Sequence, residues 1–309
     1  MISEKVTIGE GSAYPLNALL TLPEDLSAPV PAVVFVHGSG ASNMDEKVGK
    51  LTPFKDLAEG LARHGIASVR YDKRTFTHGL KMLRDRSLEV TVKTETIDDA
   101  ILATALLRND PRIDPERIFI IGHSMGGMLA PRIDAEGGNF CGLIIMAGSP
   151  RKLEEIMISQ NEAVLASTKG FVHWILQKQV AKIRKMFEGL YDLTDEEARK
   201  RKVGGGTTLY YFKEMGTHPA ADYLLNTEKP LLIMQGEKDF QATVEQDFEG
   251  YRKLLEGRAN VTFRLYPGLN HAFVPAISEN IMDAKREYNV ERHIGEDVIA
   301  DIAGWVNGI

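Results

Sequence analysis

The chain has 309 residues, 43% hydrophobic and 26% charged, the balance of an ordinary globular protein with material for a sizeable core. Its net charge of −6 leaves no basic footprint for nucleic acid, and a single cysteine, Cys141, excludes an intrachain disulfide or a multi-cysteine zinc site. The opening MISEKVTIGE lacks a basic-then-apolar signal pattern and no run of 18 apolar residues occurs, so the chain reads as cytoplasmic with no membrane partner.

In chain order, VTI and LNALLTLP predict two strands around a GEGSAYP turn. PAVVFVHGSG is a continuous apolar run ending in a glycine-rich loop, the pattern of a strand buried on both faces. FKDLAEGLARHG has helical spacing and a glycine stop, and IASVRYD predicts the next strand. TIDDAILATALLRND predicts a helix that ends before Pro111. RIFIIG is another buried strand, running into a helix over SMGGMLAPRIDAEGG. NFCGLIIMAG predicts a strand with Cys141 buried at its start, since free cysteine is among the most buried residue types. PLLIMQG and VTFRLYPG complete the strands, each followed by a helix (TVEQDFEGYRKLLEG, then RHIGEDVIADIAGWVNG). The alternation predicts an α/β fold, a mostly parallel central sheet flanked by helices, in which ligands bind at the carboxyl ends of strands.

Residues 151–222 break this rhythm, because a helical crossover needs far fewer. EEIMISQNEAVLA, FVHWILQKQVAKIRKMFEGL and DEEARKRK are all helical in pattern. The expectation is a helical cap over the carboxyl edge of the sheet, inserted into a core domain made of residues 1–150 and 223–309.

Chemistry concentrates at GHSMG, Gly122 to Gly126. A G-x-S-x-G pentapeptide after a buried strand and before a helix makes a sharp turn, with the serine hydroxyl exposed and the next N–H free to face an oxyanion. Ser124 is the candidate nucleophile and Met125 an oxyanion donor. A serine needs a base, and His271 in YPGLNHAF lies just after the last core strand. His37 and His123 flank the glycine-rich loop and the elbow, where they serve packing or hydrogen bonding. His64, His78, His173, His218 and His293 lie elsewhere. Asp239, shortly after PLLIMQG, is the carboxylate to orient His271. Its rivals are Glu237, nearer the strand, and Asp247, which reads as a solvated residue of the following helix. In HGSG, the Ser39 N–H is the second oxyanion candidate.

Together, HGSGASNMDEK, PFKDLAEGLARHGIASVRYDKR, GHSMGG, QGEKD and NHAF resemble the α/β-hydrolase superfamily, and within it bacterial carboxylesterases related to dienelactone hydrolases and feruloyl esterases. The resemblance covers about three quarters of the chain, outside the cap. It implies the fold just described, a Ser124–Asp239–His271 triad and an oxyanion hole of Ser39 and Met125. It also implies a supporting role at the active-site edge for Tyr71, Asp72, Lys73 and Arg74, which otherwise read as a surface loop.

Three features of the cap complete the reading. Gly204-Gly205-Gly206 lacks the lysine and preceding strand of a phosphate loop and reads as a hinge. KQVAKIRK reads as the solvated face of a helix. Phe171, Trp174, Tyr210, Tyr211 and Phe212 are candidates to line an acyl pocket. The expected function is hydrolysis of a small-molecule carboxylic ester, short-chain or hydroxycinnamoyl, through an acyl-enzyme on Ser124. No cofactor and no metal is implied, and a homo-oligomer is left open. The alternatives are thioesterase, acyltransferase or oligopeptidase chemistry with the same triad, or a ligand-binding protein with a vestigial site.

Overall fold

The computed structural model describes every residue except Arg86, Gly205 and Glu279. Gly205, the centre of the triplet read as a hinge, therefore lies outside the described residues.

The chain opens with β1 (Ile2–Ile8) and β2 (Leu16–Leu22), paired antiparallel. Then come β3 (Val30–Val36), α1 (Pro53–Arg63), β4 (Ala67–Tyr71), α2 (Arg74–Arg84), α3 (Asp98–Arg108), β5 (Ile113–His123), α4 (Met125–Ile133) and β6 (Leu143–Met146). Beyond a long helical interval, β9 (Leu231–Gly236), α10 (Glu249–Leu254), β10 (Val261–Tyr266), α11 (Ala284–Tyr288) and α12 (Glu296–Asn307) complete the fold. The eight-stranded sheet runs β1-β2-β4-β3-β5-β6-β9-β10, parallel from β4 to β10. This is the expected mostly parallel sheet flanked by helices.

The two-residue period of β3 explains why both faces are covered. Val34 and Val36 join the cluster under α3 and α4, whereas Val33 and Phe35 join the one under α1 and α12. Such strands cannot alternate with polar residues, which is why they read as continuous apolar runs. Cys141 departs from expectation: β6 begins only at Leu143, and the cysteine sits half-buried in the bend before it.

The interval between β6 and β9 holds α5 (Leu153–Ala166), α6 (Gly170–Phe187), α7 (Asp195–Lys200), the short hairpin of β7 (Lys202–Gly204) and β8 (Thr207–Thr208), α8 (Leu209–Gly216) and α9 (Ala220–Asn226). A capping box between Thr194 and Glu197 starts α7. Helix α2, which carries His78, lies in a segment for which the sequence predicts no element. Among the described residues no helix is long and apolar enough to cross a membrane.

Candidate active site

The turn from β5 into α4 is tight enough to dictate its composition. A Cβ on Gly122 would stand 2.2 Å from the Gly126 carbonyl oxygen, and one on Gly126 would stand 2.1 Å from that of Val36. Both obstacles are backbone atoms, which cannot step aside as a side-chain tip can. Ser124 is held at φ 54°, ψ −120°, a costly conformation for a residue with a Cβ. Its N–H donates to Met146 O at 2.8 Å, which fastens the turn to the end of β6. Met125 is the first residue of α4, so its N–H has no acceptor within the helix and lies at the positive end of the helix dipole.

The loop after β10 brings His271 beside the turn after β9. His271 Nδ1–H donates to Asp239 Oδ2 at 2.6 Å, and both side chains are buried. Asp239 also accepts from Gln241 N at 2.7 Å, Ala242 N at 3.0 Å and Gln235 Nε2 at 2.8 Å, so its orientation is fixed from several sides. Of its rivals, Glu237 is exposed and accepts from Gly268 N. Asp247 is not solvated as expected. It is fully buried, held by the Arg151 guanidinium at 2.8 and 3.0 Å and by Ser149, and it anchors the root of the insertion.

Sequence reasoning missed the residues that stiffen the histidine loop. Asn270 Oδ1 accepts from Ala272 N at 2.9 Å and Val274 N at 3.3 Å, while its Nδ2 donates to the buried Glu287 at 2.6 Å. Glu287 in turn pairs with Arg292 at 2.9 Å. The signal was the asparagine of LNHAF, because Asn side chains build turns by bonding the backbone two residues on.

Ser39, Ser124 and His271 border one cavity of about 230 Å³. No hydrogen bond joins Ser124 Oγ to His271 among the described residues; contacts of this kind commonly tighten only around substrate.

The loop after β3 is gripped from both ends. Gly38 N–H donates to Glu46 Oε1 at 2.7 Å, and the buried Lys73 ammonium donates to Gly38 O at 2.9 Å. That carbonyl and the Ser39 N–H belong to one peptide group, so the ammonium fixes its plane and polarises its N–H. Burial holds the Lys73 pKa below the ordinary lysine value, against the pull of the Glu95 carboxylate 3.4 Å away. Glu95 also accepts from Thr75 at 2.9 Å and from the Tyr211 hydroxyl of α8 at 2.8 Å. Asp72 accepts from Met44 N at 2.9 Å, and Arg74 pairs with Asp99. The surface-loop alternative for Tyr71 to Arg74 thus fails, with Lys73 only 1% exposed.

A second grip joins three loops. Glu46 Oε2 lies 2.9 Å from His123 Nδ1, and His123 Nε2–H donates to His271 O at 2.8 Å. Burial works against charge on both side chains, yet each outweighs it for the other: His123 is raised above the ordinary imidazole value and Glu46 lowered below the ordinary carboxylate value. His37, which contacts Asn43 O at 3.0 Å, is instead pushed down to about 4 by burial, against the attraction of Glu46. Glu46 carries no motif, and nothing in the sequence marked it.

A larger cavity of about 430 Å³ also borders Ser124, walled by residues of α5 and α8, and Tyr211 and Phe212 line it. Phe171, Trp174 and Tyr210 do not. Helix α6 buries only Val180 and Phe187, which leaves Phe171 and Trp174 73% and 50% exposed and stacked on each other. Tyr210 faces the Arg199 guanidinium instead. The basic face of α6 is exposed, as expected. Among the described residues no group of three or more His, Cys, Asp or Glu side chains is placed to hold a metal ion.

The model of the alpha/beta hydrolase family matches residues 33–280. Esterase EstD of Thermotoga maritima is 34% identical over 295 residues, which cover 94% of this chain. The chain spans 65% of the length of that relative. Among solved structures, an esterase of Pyrococcus furiosus is similar with a TM-score of 0.56 at 15% identity, over 99% of this chain and 91% of that one. Est1E from Butyrivibrio proteoclasticus, solved with ferulic acid bound, is similar with a TM-score of 0.58 at 16% identity, over 98% of this chain and 100% of that one. At such identities the structural likeness is one of fold.

Proposed function

Because the chain belongs to the alpha/beta hydrolase family, we propose that it is a serine hydrolase of carboxylic esters. Ser124 is the nucleophile, His271 the general base and then acid, and Asp239 the carboxylate that orients it. The N–H groups of Ser39 and Met125 hold the oxyanion, and residues 151–222 act as a lid. The observation that carries the reading is the 2.6 Å Asp239–His271 contact, on a histidine that borders the same cavity as Ser124.

In this mechanism His271 Nε2 takes the proton of Ser124 Oγ as the oxygen attacks the ester carbonyl. The negative charge forms where the Ser39 and Met125 amides point. The imidazolium, steadied by Asp239, gives its proton to the leaving alcohol. Water repeats the sequence on the acyl-enzyme and releases the acid. The esterase EstD supports ester over thioester or peptide as the substrate. The neighbour solved with ferulic acid lends support to a hydroxycinnamoyl acyl group beside a short-chain one.

The test is pre-steady-state kinetics with a nitrophenyl ester of a short acid. A burst of nitrophenol stoichiometric with enzyme, lost in Ser124→Ala, is expected. Failure to turn over any activated ester would refute the reading.

A further inference from the structure

Ser124 stands between two cavities of unlike character. The larger, about 430 Å³, is lined by Met82, Met128, Leu153, Ile156, Met157 and Phe212 beside Ser124 and Met125. The smaller, about 230 Å³, is lined by Ser42, Lys47, Gln241, Tyr288 and His271. Ser39, Ala41, Ser124 and Gln241 border both, whereas His271 borders the smaller and Met125 the larger.

We propose that the larger cavity takes the acyl part of the substrate and the smaller one the alcohol, so that the preferred substrates are esters of an apolar acid with a small hydroxylated alcohol. The assignment rests on the serine-esterase reading above and follows from the proton. The Nδ1–H of His271 is committed to Asp239, so the proton that moves in catalysis sits on Nε2. The leaving oxygen must lie within hydrogen-bond reach of that nitrogen, and His271 faces the smaller cavity. The oxyanion is directed at the Ser39 and Met125 amides. Of the substituents on the tetrahedral carbon, only the acyl chain is then unplaced, and the remaining direction leads into the larger cavity.

The linings fit that division. Met82, Met128 and Met157 give the larger cavity an apolar and adaptable wall, and its volume lies within the range of small-molecule sites. The polar groups on its border are already engaged. Glu95 is held by Thr75, Tyr211 and Lys73, and the Gln160 amide donates to Gln241 O at 3.0 Å. The smaller cavity, walled in part by Ala41, Val48 and Pro53, presents the Ser42 hydroxyl, the Lys47 ammonium and the Tyr288 hydroxyl, which accepts from the Gln241 amide and keeps its own O–H to donate, groups that suit a polyol.

In acylation the Ser124 Oγ–carbon bond forms and the carbon–alkoxy bond breaks, with the Oγ proton passing through Nε2 to the alcohol. In deacylation the oxygen of water, or of an added alcohol bound in the smaller cavity, bonds to the acyl carbon as the Oγ–carbon bond breaks, and its proton passes through Nε2 to Oγ. Two measurements isolate the two sides. Nitrophenyl acetate, butyrate and hexanoate vary only the acyl part. A buried methylene contributes about fourfold, and kcat/KM is expected to rise at least tenfold from acetate to hexanoate. Partitioning of the common hexanoyl-enzyme between water, glycerol and benzyl alcohol at equal concentrations varies only the acceptor, and glyceryl ester is expected to exceed benzyl ester at least tenfold.

Met157→Trp, which fills the larger cavity, should lower the hexanoate-to-acetate ratio at least tenfold, a ratio that does not depend on the folded fraction. A flat acyl profile, a dominant benzyl ester, or a Met157→Trp variant that alters the glycerol-to-benzyl ratio instead of the acyl ratio would overturn the assignment. Failure to turn over any of these esters, or turnover that survives in Ser124→Ala, would instead strike the serine-esterase reading itself.

Discussion

Lys73 and Glu46 hold opposite ends of one residue, Gly38, and so set the direction of the Ser39 N–H. Removal of an oxyanion donor commonly costs a hundredfold or more in rate. Lys73→Met leaves the proposed Ser39 donor in place but frees its plane, and kcat is expected to fall roughly tenfold to hundredfold with KM little changed. The same substitution strands the buried Glu95 carboxylate, which costs about 3–5 kcal/mol of stability. The double variant Lys73→Met/Glu95→Gln should recover stability in urea denaturation without recovering kcat. Recovery of both would mean that Lys73 acts only through folding. The Glu46–His123 pair makes a pH-dependent contribution whose sign can be worked out. Glu46 is lowered from 4.5, so its share is present above pH 4.5 and lost as pH falls through its folded pKa. His123 is raised from 6.5, so its share is complete below pH 6.5 and lost as pH rises through its folded pKa. The stability gap between the wild type and Glu46→Gln should therefore be widest between pH 4.5 and 6.5 and narrow on either side. A gap that widens steadily toward alkaline pH would contradict the pairing.

At the scale of the element, the β5–α4 turn trades stability for placement. Ser124 sits at positive φ, and backbone strain of this kind costs about 1–3 kcal/mol. Ser124→Gly is expected to raise unfolding stability by about 1 kcal/mol while abolishing ester turnover, as measured by chemical denaturation alongside kinetics. Gly126→Ala should do the reverse, since its Cβ would meet Val36 O at 2.1 Å; a loss of roughly 3 kcal/mol or more is expected. This turn was the most legible part of the sequence, because small residues, strand and helix all sit in one short window. The Asp239 and His271 positions were legible for a related reason: each follows an apolar run whose end a glycine marks. Residues whose partners lie far along the chain were not legible. Asp247 reads as one more acid on an amphipathic helix, and only folding brings it to Arg151. Helix α2 carries Phe76, Leu80 and Leu83 at helical spacing, but these stay exposed and only Met82 is buried, so its apolar period marks no face packed on the core.

Over the whole molecule, the site is assembled where the carboxyl ends of β3, β5, β9 and β10 meet the insertion. The strands fix the four connections that carry Ser39, Ser124, Asp239 and His271; Glu46–His123 ties the first to the end of β5, Lys73–Glu95 braces it from below, and Arg151–Asp247 ties the root of α5 to the helical segment after β9. Tyr211 of α8 donates to Glu95, the partner of Lys73, which couples the proposed lid to the loop that carries Ser39. The sheet was readable from hydrophobic runs, but the path of the insertion was not. Periodicity identifies a helix without saying where it docks, and Phe171 and Trp174 proved to face outward. The central claim is that Ser124 is activated by His271 and Asp239, and covalent labelling with a fluorophosphonate followed by peptide mass mapping tests it most directly. One adduct per chain on the peptide containing Ser124, formed at least a hundredfold more slowly in His271→Ala and in Asp239→Asn, is the predicted result. An unlabelled Ser124 in the folded protein, or labelling indifferent to His271, would contradict the account.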